Sequence, residues 1–165
     1  EREREVFQDC RNRILSMSAI HDQLYTTGNM TEINAKEYIA EITDDLLRLF
    51  GAIGRVELTF EVEDHSFDID TSIPLGLIVN ELIVNALKHG IKEGPGKLTV
   101  SLEKEHQKII LKVIDSGKGF DPNKTKKSSL GMELVNTLTG QLDGTISYDF
   151  NESETICTVE FPLSW

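Results

Sequence analysis

Glu81, Asn85 and Lys88 stand four and three residues apart in NELIVNALKHG, residues 80–90, so a helix there carries all three on one face. His89 repeats the four-residue step from Asn85. A carboxylate, a carboxamide and an ammonium in line suit a metal–phosphate ligand. The Asn85 amide oxygen can coordinate a hard cation such as Mg²⁺, which binds through few protein groups plus substrate phosphates. Lys88 can neutralise a phosphate, and Glu81 can orient or deprotonate a nucleophile. The intervening Leu82, Ile83, Val84, Ala86 and Leu87 supply a buried face. The same pattern equally describes an amphipathic helix whose polar stripe is only wet.

A second constellation, DSGKGF, follows an apolar run at residues 115–120. A carboxylate at a strand end, here Asp115, can accept a hydrogen bond from an amino group, while Gly117 and Gly119 let a flat ligand approach the backbone. Taken alone, the same residues also spell a turn. The third is SSLGMELV, residues 128–135, where Ser129, Leu130, Gly131 and Met132 open a helix whose free N–H groups can hold an anion. Lys124, Lys126 and Lys127 precede it, and their plain alternative is a solvated surface loop.

These residues need elements to position them. Phe7, Cys10, Ile14, Met17, His21 and Leu24 alternate by three and four, the seam of a coiled coil or helical bundle. Gly28 and Asn29 break that helix. Asn34, with Glu37 three residues on, opens a second helix that Gly51 closes. RVELTFEVED and SFDID alternate and predict a hairpin. A helix over residues 73–90 follows, entered through Thr71, Ser72 and Pro74 and ended by Gly90. KLTVSLEKE with QKIILKVID, and TISYDF with ETICTVEFPL, predict two further strand pairs around the LGMELVNTLTGQLDG helix. The second strand, QKIILKVID, has the continuous apolar run of a central strand. Helices separated by antiparallel pairs predict an α/β two-layer sandwich with helices on one face of a mixed sheet.

Composition bounds the rest. The chain has 165 residues, enough for one domain with an appendage, and a net charge of −11. That charge argues against sequence-independent nucleic-acid binding, which requires a basic face. No apolar run is expected to span a membrane, and no signal peptide opens the chain. Cys10 and Cys157 have neither metal-ligand nor disulfide-framework spacing, so a cytoplasmic setting is expected. The chain begins in helical register without Met and reads as a piece of a longer bundle.

In this order and spacing, NELIVNALKHG, DSGKGF and SSLGMEL resemble the N, G1 and G2 boxes of the GHKL ATPases, over about residues 34–163. PLGLIVNELIVNALKHG is similar to the catalytic domain of two-component sensor histidine kinases. RILSMSAIHDQLYTTGNMTEINAKEYIAEITDDLLRLFG resembles the end of the dimerisation and phosphotransfer bundle in the subgroup related to HWE-type kinases. The resemblance implies the Bergerat-type sandwich, with residues 1–30 ending the bundle helix and 31–165 forming the ATP-binding domain. It implies ATP and Mg²⁺ as cofactors, a response regulator receiver domain as partner, and homodimerisation through the leading helix. Asn85 would ligate Mg²⁺, Lys88 a phosphate, and Asp115 the adenine amino group beside Gly117 and Gly119. The backbone from Ser129 to Met132, with Leu130 and Gly131, would face the phosphates, Glu81 would assist chemistry, and His89 would lie near the nucleotide. The family's phosphoaccepting His belongs upstream of SMSAIH, where none of the four histidines lies. His21 therefore reads as structural. Ser129 replaces a usual Gly, and the lid over residues 121–128 is short. A GHKL anti-sigma-factor serine kinase and a non-catalytic nucleotide-binding module share the boxes and remain the alternatives.

Overall fold

The computed structural model describes residues 31–117 and 130–163, with scattered positions between residues 4 and 22. Those positions are helical and exposed, among them Phe7, Cys10 and Ile14 of the expected seam. Met17, His21, Leu24 and the Gly28–Asn29 break lie outside the described residues.

Asn34 ends a short strand, β1 (Glu32–Asn34), and caps helix α1 (Ala35–Leu49). Its Oδ1 accepts the Glu37 N–H at 3.0 Å, satisfying one donor that a helix start leaves open. Tyr38, Ile39, Ile42 and Leu46 of α1 are buried, as their spacing predicts. Gly51 follows with φ +59°, the left-handed conformation that ends many helices.

The remaining strands are β2 (Val56–Val62), β3 (Ser66–Asp68), β4 (Gly96–Glu105), β5 (Lys108–Asp115), β6 (Thr145–Phe150) and β7 (Thr155–Pro162). Five of them form a sheet in the order β2-β4-β5-β7-β6. β4–β5 and β6–β7 are the antiparallel hairpins that the alternating runs predict. β5 lies in the middle, which accounts for its unbroken apolar run.

Three expectations need correction. RVELTFEVED and SFDID do not form a hairpin: β2 pairs in parallel with β4, from Val56↔Gly96 to Val62↔Leu102, and β3 pairs with β1. Alternation marks strands but not their partners, and a parallel pair requires a crossover, here helix α2 (Ile69–Asn85). The start of α2 is earlier than Thr71–Pro74, because Asp68 Oδ1 accepts the Thr71 N–H at 2.9 Å. Pro74 then sits inside the helix, at the cost of one backbone bond that the surrounding core offsets. Gly90 does not end the helix either, since α2 continues into a π turn, Ala86–Ile91. The whole run Ile69–Ile91 is 23 residues long, and its most apolar 18-residue stretch has a mean hydropathy of 1.2, enough by length and composition to cross a membrane. Its most apolar stretch is 72 % buried within the fold, so it serves as the core helix.

Ile78, Val79 and Ile83 of α2 pack into one core with Leu98 and Val100 of β4, Leu111 of β5 and Val159 of β7. α2 is flanked by α1 and by α3 (Leu130–Gln141). On the other sheet face Ser101, Lys112, Thr158 and Glu160 stay partly or fully exposed, so the helices form one layer and the sheet the second.

The α1–α2 contact closes on Gly76, where a Cβ would fall inside the van der Waals radii of the buried Tyr38 hydroxyl and ring. Alanine at a free helix position gains about 1 kcal/mol over glycine, but overpacking a core costs about 1–3 kcal/mol. Gly76→Ala is therefore expected to destabilise the protein and lower Tm by several degrees in a thermal melt. An unchanged or raised Tm would show that α1 yields freely.

Candidate functional site

The polar residues of α2 are not a wet stripe. Asn80 is 1 % and Glu81 5 % exposed, and both are partnered within the fold. Asn85 and Lys88 are half-buried and His89 is exposed. A buried carboxylate and carboxamide in an apolar helix carry a desolvation cost that a solvated face would never incur.

The end of this helix widens where the polar residues cluster. Over Ala86–Ile91 the backbone is a π turn, closed by the Lys92 N–H donating to Leu87 O at 3.0 Å. A π turn re-aims successive side chains, here Lys88 and His89, relative to an α-helical continuation. It also brings Gly90 against β5: a Cβ on Gly90 would overlap the Asp115 carboxylate, and one on Gly117 would overlap the Gly90 backbone. Two glycines thus let two backbones and one carboxylate share a space that side chains would fill.

Asp115, the last residue of β5, is 6 % exposed, and its Oδ1 accepts the Gly117 N–H at 2.8 Å. Burial pushes its carboxyl above the usual aspartate range, and the Gly117 N–H partly opposes this. Ser116 ties the exit of the strand to β4, its Oγ accepting the Lys97 N–H at 2.8 Å. The carboxylate is therefore held in place before any ligand arrives.

The third motif meets the first directly. Met132, in the first turn of α3, is 7 % exposed, and its Sδ accepts from Asn85 Nδ2 at 3.1 Å and from Tyr148 Oη at 3.5 Å. Gly131 is half-buried and Leu130 is 66 % exposed. Gly119 and Ser129, with the lysines between them, lie outside the described residues. One end of α2 is thus where Asn85 joins Met132, and where Gly90 joins Asp115 and Gly117. Sequence reasoning missed the packing role of Gly90, the thioether of Met132 and the hydroxyl of Tyr148. Each acts through a neighbour from another element, and no local pattern marks it.

Among the described residues no group of three or more His, Cys, Asp or Glu is placed to hold a metal ion. A cation here would rely on an amide oxygen and on oxygens of a bound substrate, a donor set that fits Mg²⁺.

A layered α/β domain with its acidic and glycine-rich groups gathered at one end of the central helix defines a class that the comparisons specify. Residues 70–164 match the family model of the histidine kinase-, DNA gyrase B- and HSP90-like ATPases, and residues 1–50 match a histidine kinase model. The chain belongs to the histidine kinase-, DNA gyrase B- and HSP90-like ATPase family. It is 24 % identical to the sensor histidine kinase PdtaS of Mycolicibacterium smegmatis, over 99 % of this chain and 34 % of that protein. The corresponding Mycobacterium tuberculosis protein is also 24 % identical, over 97 % and 33 %. The chain therefore spans about a third of the length of these curated relatives. The histidine kinase domain of the Erythrobacter litoralis EL346 blue-light activated histidine kinase shares the fold, with TM-score 0.85 at 18 % identity, covering 94 % of this chain and 75 % of that one. The Acinetobacter baumannii histidine kinase AdeS aligns with TM-score 0.69 at 21 % identity, covering 98 % and 78 %.

Proposed function

We propose that residues 31–165 are the ATP-binding catalytic domain of a cytoplasmic sensor histidine kinase and that residues 1–30 end its dimerisation helix. The observation that carries this reading is the convergence of Asn85 with Met132, and of Gly90 with Asp115 and Gly117, at one end of α2. The histidine kinase match over residues 1–50 supports it over a serine kinase, which has no need of the leading helix.

Asp115 accepts the adenine amino group, with Gly117 and Gly119 shaping the base pocket. Asn85 Oδ1 is the protein ligand to Mg²⁺, and Lys88 contacts a phosphate. Backbone groups from Ser129 through Leu130 and Gly131 to Met132 face the phosphates, and His89 lies beside the nucleotide. Bound Mg–ATP supplies the γ-phosphoryl group and part of the charge neutralisation. The protein contributes mainly positioning and charge stabilisation, as in other phosphoryl transfers. Glu81 assists the attacking imidazole, whose nitrogen bonds to the γ-phosphorus as the bond to the β,γ-bridging oxygen breaks. The leaving ADP keeps that electron pair, and the imidazole proton passes by way of the Glu81 carboxylate to solvent. The phosphoryl group then passes to an aspartate on a response regulator receiver domain, and the leading helix pairs two copies.

The test is direct. The chain is expected to bind Mg–ATP, to remain unlabelled by γ-labelled ATP, and to label a bundle peptide bearing the acceptor His with an acid-labile phosphate. Labelling of serine on a protein substrate would favour the serine kinase. Calorimetric Mg–ATP binding without transfer to either acceptor would favour the non-catalytic nucleotide-binding module, and absence of binding would overturn the ATP reading.

A further inference from the structure

We infer that the Met132 thioether is a positioning residue that sets which way the Asn85 carboxamide faces; the inference rests on the Mg–ATP reading above. An asparagine amide has two ends of similar size and opposite function. Turned one way it offers oxygen to a cation, and turned the other way it offers an NH₂ that repels one. A thioether has no proton to donate, so it can partner only the NH₂ end. In the structure Nδ2 donates to Met132 Sδ at 3.1 Å, and the planar amide then directs Oδ1 away from the sulfur. An ambivalent ligand becomes a committed oxygen donor. A buried serine, asparagine or glutamine at position 132 has a proton to donate, which a sulfur ether lacks.

The sulfur is itself fixed. It sits at 7 % exposure in the first turn of α3, and the Tyr148 hydroxyl donates to it at 3.5 Å from β6. Tyr148 stands directly opposite the buried Cys157 in the β6–β7 register. Burial pushes the Cys157 thiol up to about 12 and the Tyr148 phenol upward too, so both keep their protons at neutral pH. A hydroxyl from β6 therefore holds the acceptor that receives Asn85. Met132 touches neither cation nor nucleotide through its sulfur; it acts through Asn85.

Calorimetric titration of ATP, with Mg²⁺ and with EDTA in its place, separates this role from packing. Met132→Leu keeps the volume and removes the acceptor. It is expected to lose about tenfold in the Mg²⁺-dependent gain in affinity, read as the ratio of Kd in EDTA to Kd with Mg²⁺. Met132→norleucine, which replaces the sulfur by a methylene at nearly constant shape, should do the same and covers the case where leucine disturbs the fold. Met132→Gln, whose amide can either accept from Nδ2 or donate to Oδ1, should restore only part of the gain. A full Mg²⁺-dependent gain in the leucine and norleucine variants would overturn the inference and leave the kinase reading standing. An equal fall with and without Mg²⁺ would also overturn it, because the residue would then shape the pocket generally. A wild-type protein that binds ATP no better with Mg²⁺ than without would overturn the metal reading and this inference together.

Discussion

Asp115→Asn is expected to weaken ATP binding about ten- to a hundredfold while leaving the unliganded protein as stable as wild type, or more stable, at pH 7. The two effects have opposite signs because the carboxylate is costly to the fold and useful to the ligand. A charge-assisted hydrogen bond is worth about 1.5–3 kcal/mol, which converts to that loss of affinity. Asparagine keeps an Oδ1 for the Gly117 N–H, the 2.8 Å bond that shapes the turn, so the site keeps its geometry. Burial raises the Asp115 carboxyl above the usual range, so the folded protein holds this proton more tightly than the unfolded chain does. The stability penalty is accordingly absent below the unperturbed value of 3.8 and develops as pH rises from there through the raised one. Denaturant titrations should show the variant's advantage at neutral pH shrinking as pH is lowered. Wild-type ATP affinity should fall as pH descends into the raised range, and the variant's should stay flat. Unchanged ATP affinity in Asp115→Asn would sink the adenine assignment.

What the sequence made legible was local or bore on a single helix face. The Asn34 cap, the stripe of α1, the β4–β5 and β6–β7 hairpins and the central place of β5 all follow from spacing and short-range turn chemistry. What it hid was through-space partnership. β2 alternates like any half-buried strand, and nothing in VELTFEV says that its neighbour is β4, in parallel, across a helix. β3 has three residues, too few for a pattern to show that it pairs with β1. Asp68 and Thr71–Ser72 are both good helix openers, and choosing between them depends on where the preceding strand must end. Gly90 followed a helix and so read as a terminator; only the approach of Asp115 and Gly117 reveals why a side chain is excluded there. In the same way Asn85 announced itself as a candidate ligand, but its partner stands 47 residues away on another helix.

Asn85→Ala separates function from folding most sharply. Alanine is a better helix former than asparagine by about half a kcal/mol, and the bond removed among the described residues is a weak N–H···S contact. The variant should therefore melt at the wild-type temperature or slightly above it. Its Mg²⁺-dependent ATP binding should nonetheless disappear, because no cluster of acidic or His/Cys ligands among the described residues stands ready to take over the cation. Phosphotransfer to an acceptor peptide should fall by at least roughly 10²–10³, the usual consequence of removing one preorganised charge-stabilising group. Asn85→Asp divides the two halves of the side chain's work. It offers oxygen at both ends and has no N–H for Met132, so it should keep Mg²⁺-dependent ATP binding without the sulfur-set orientation. A variant at position 85 that keeps Mg²⁺-dependent binding without any oxygen donor would move the metal to another residue and remove α2 from the chemistry.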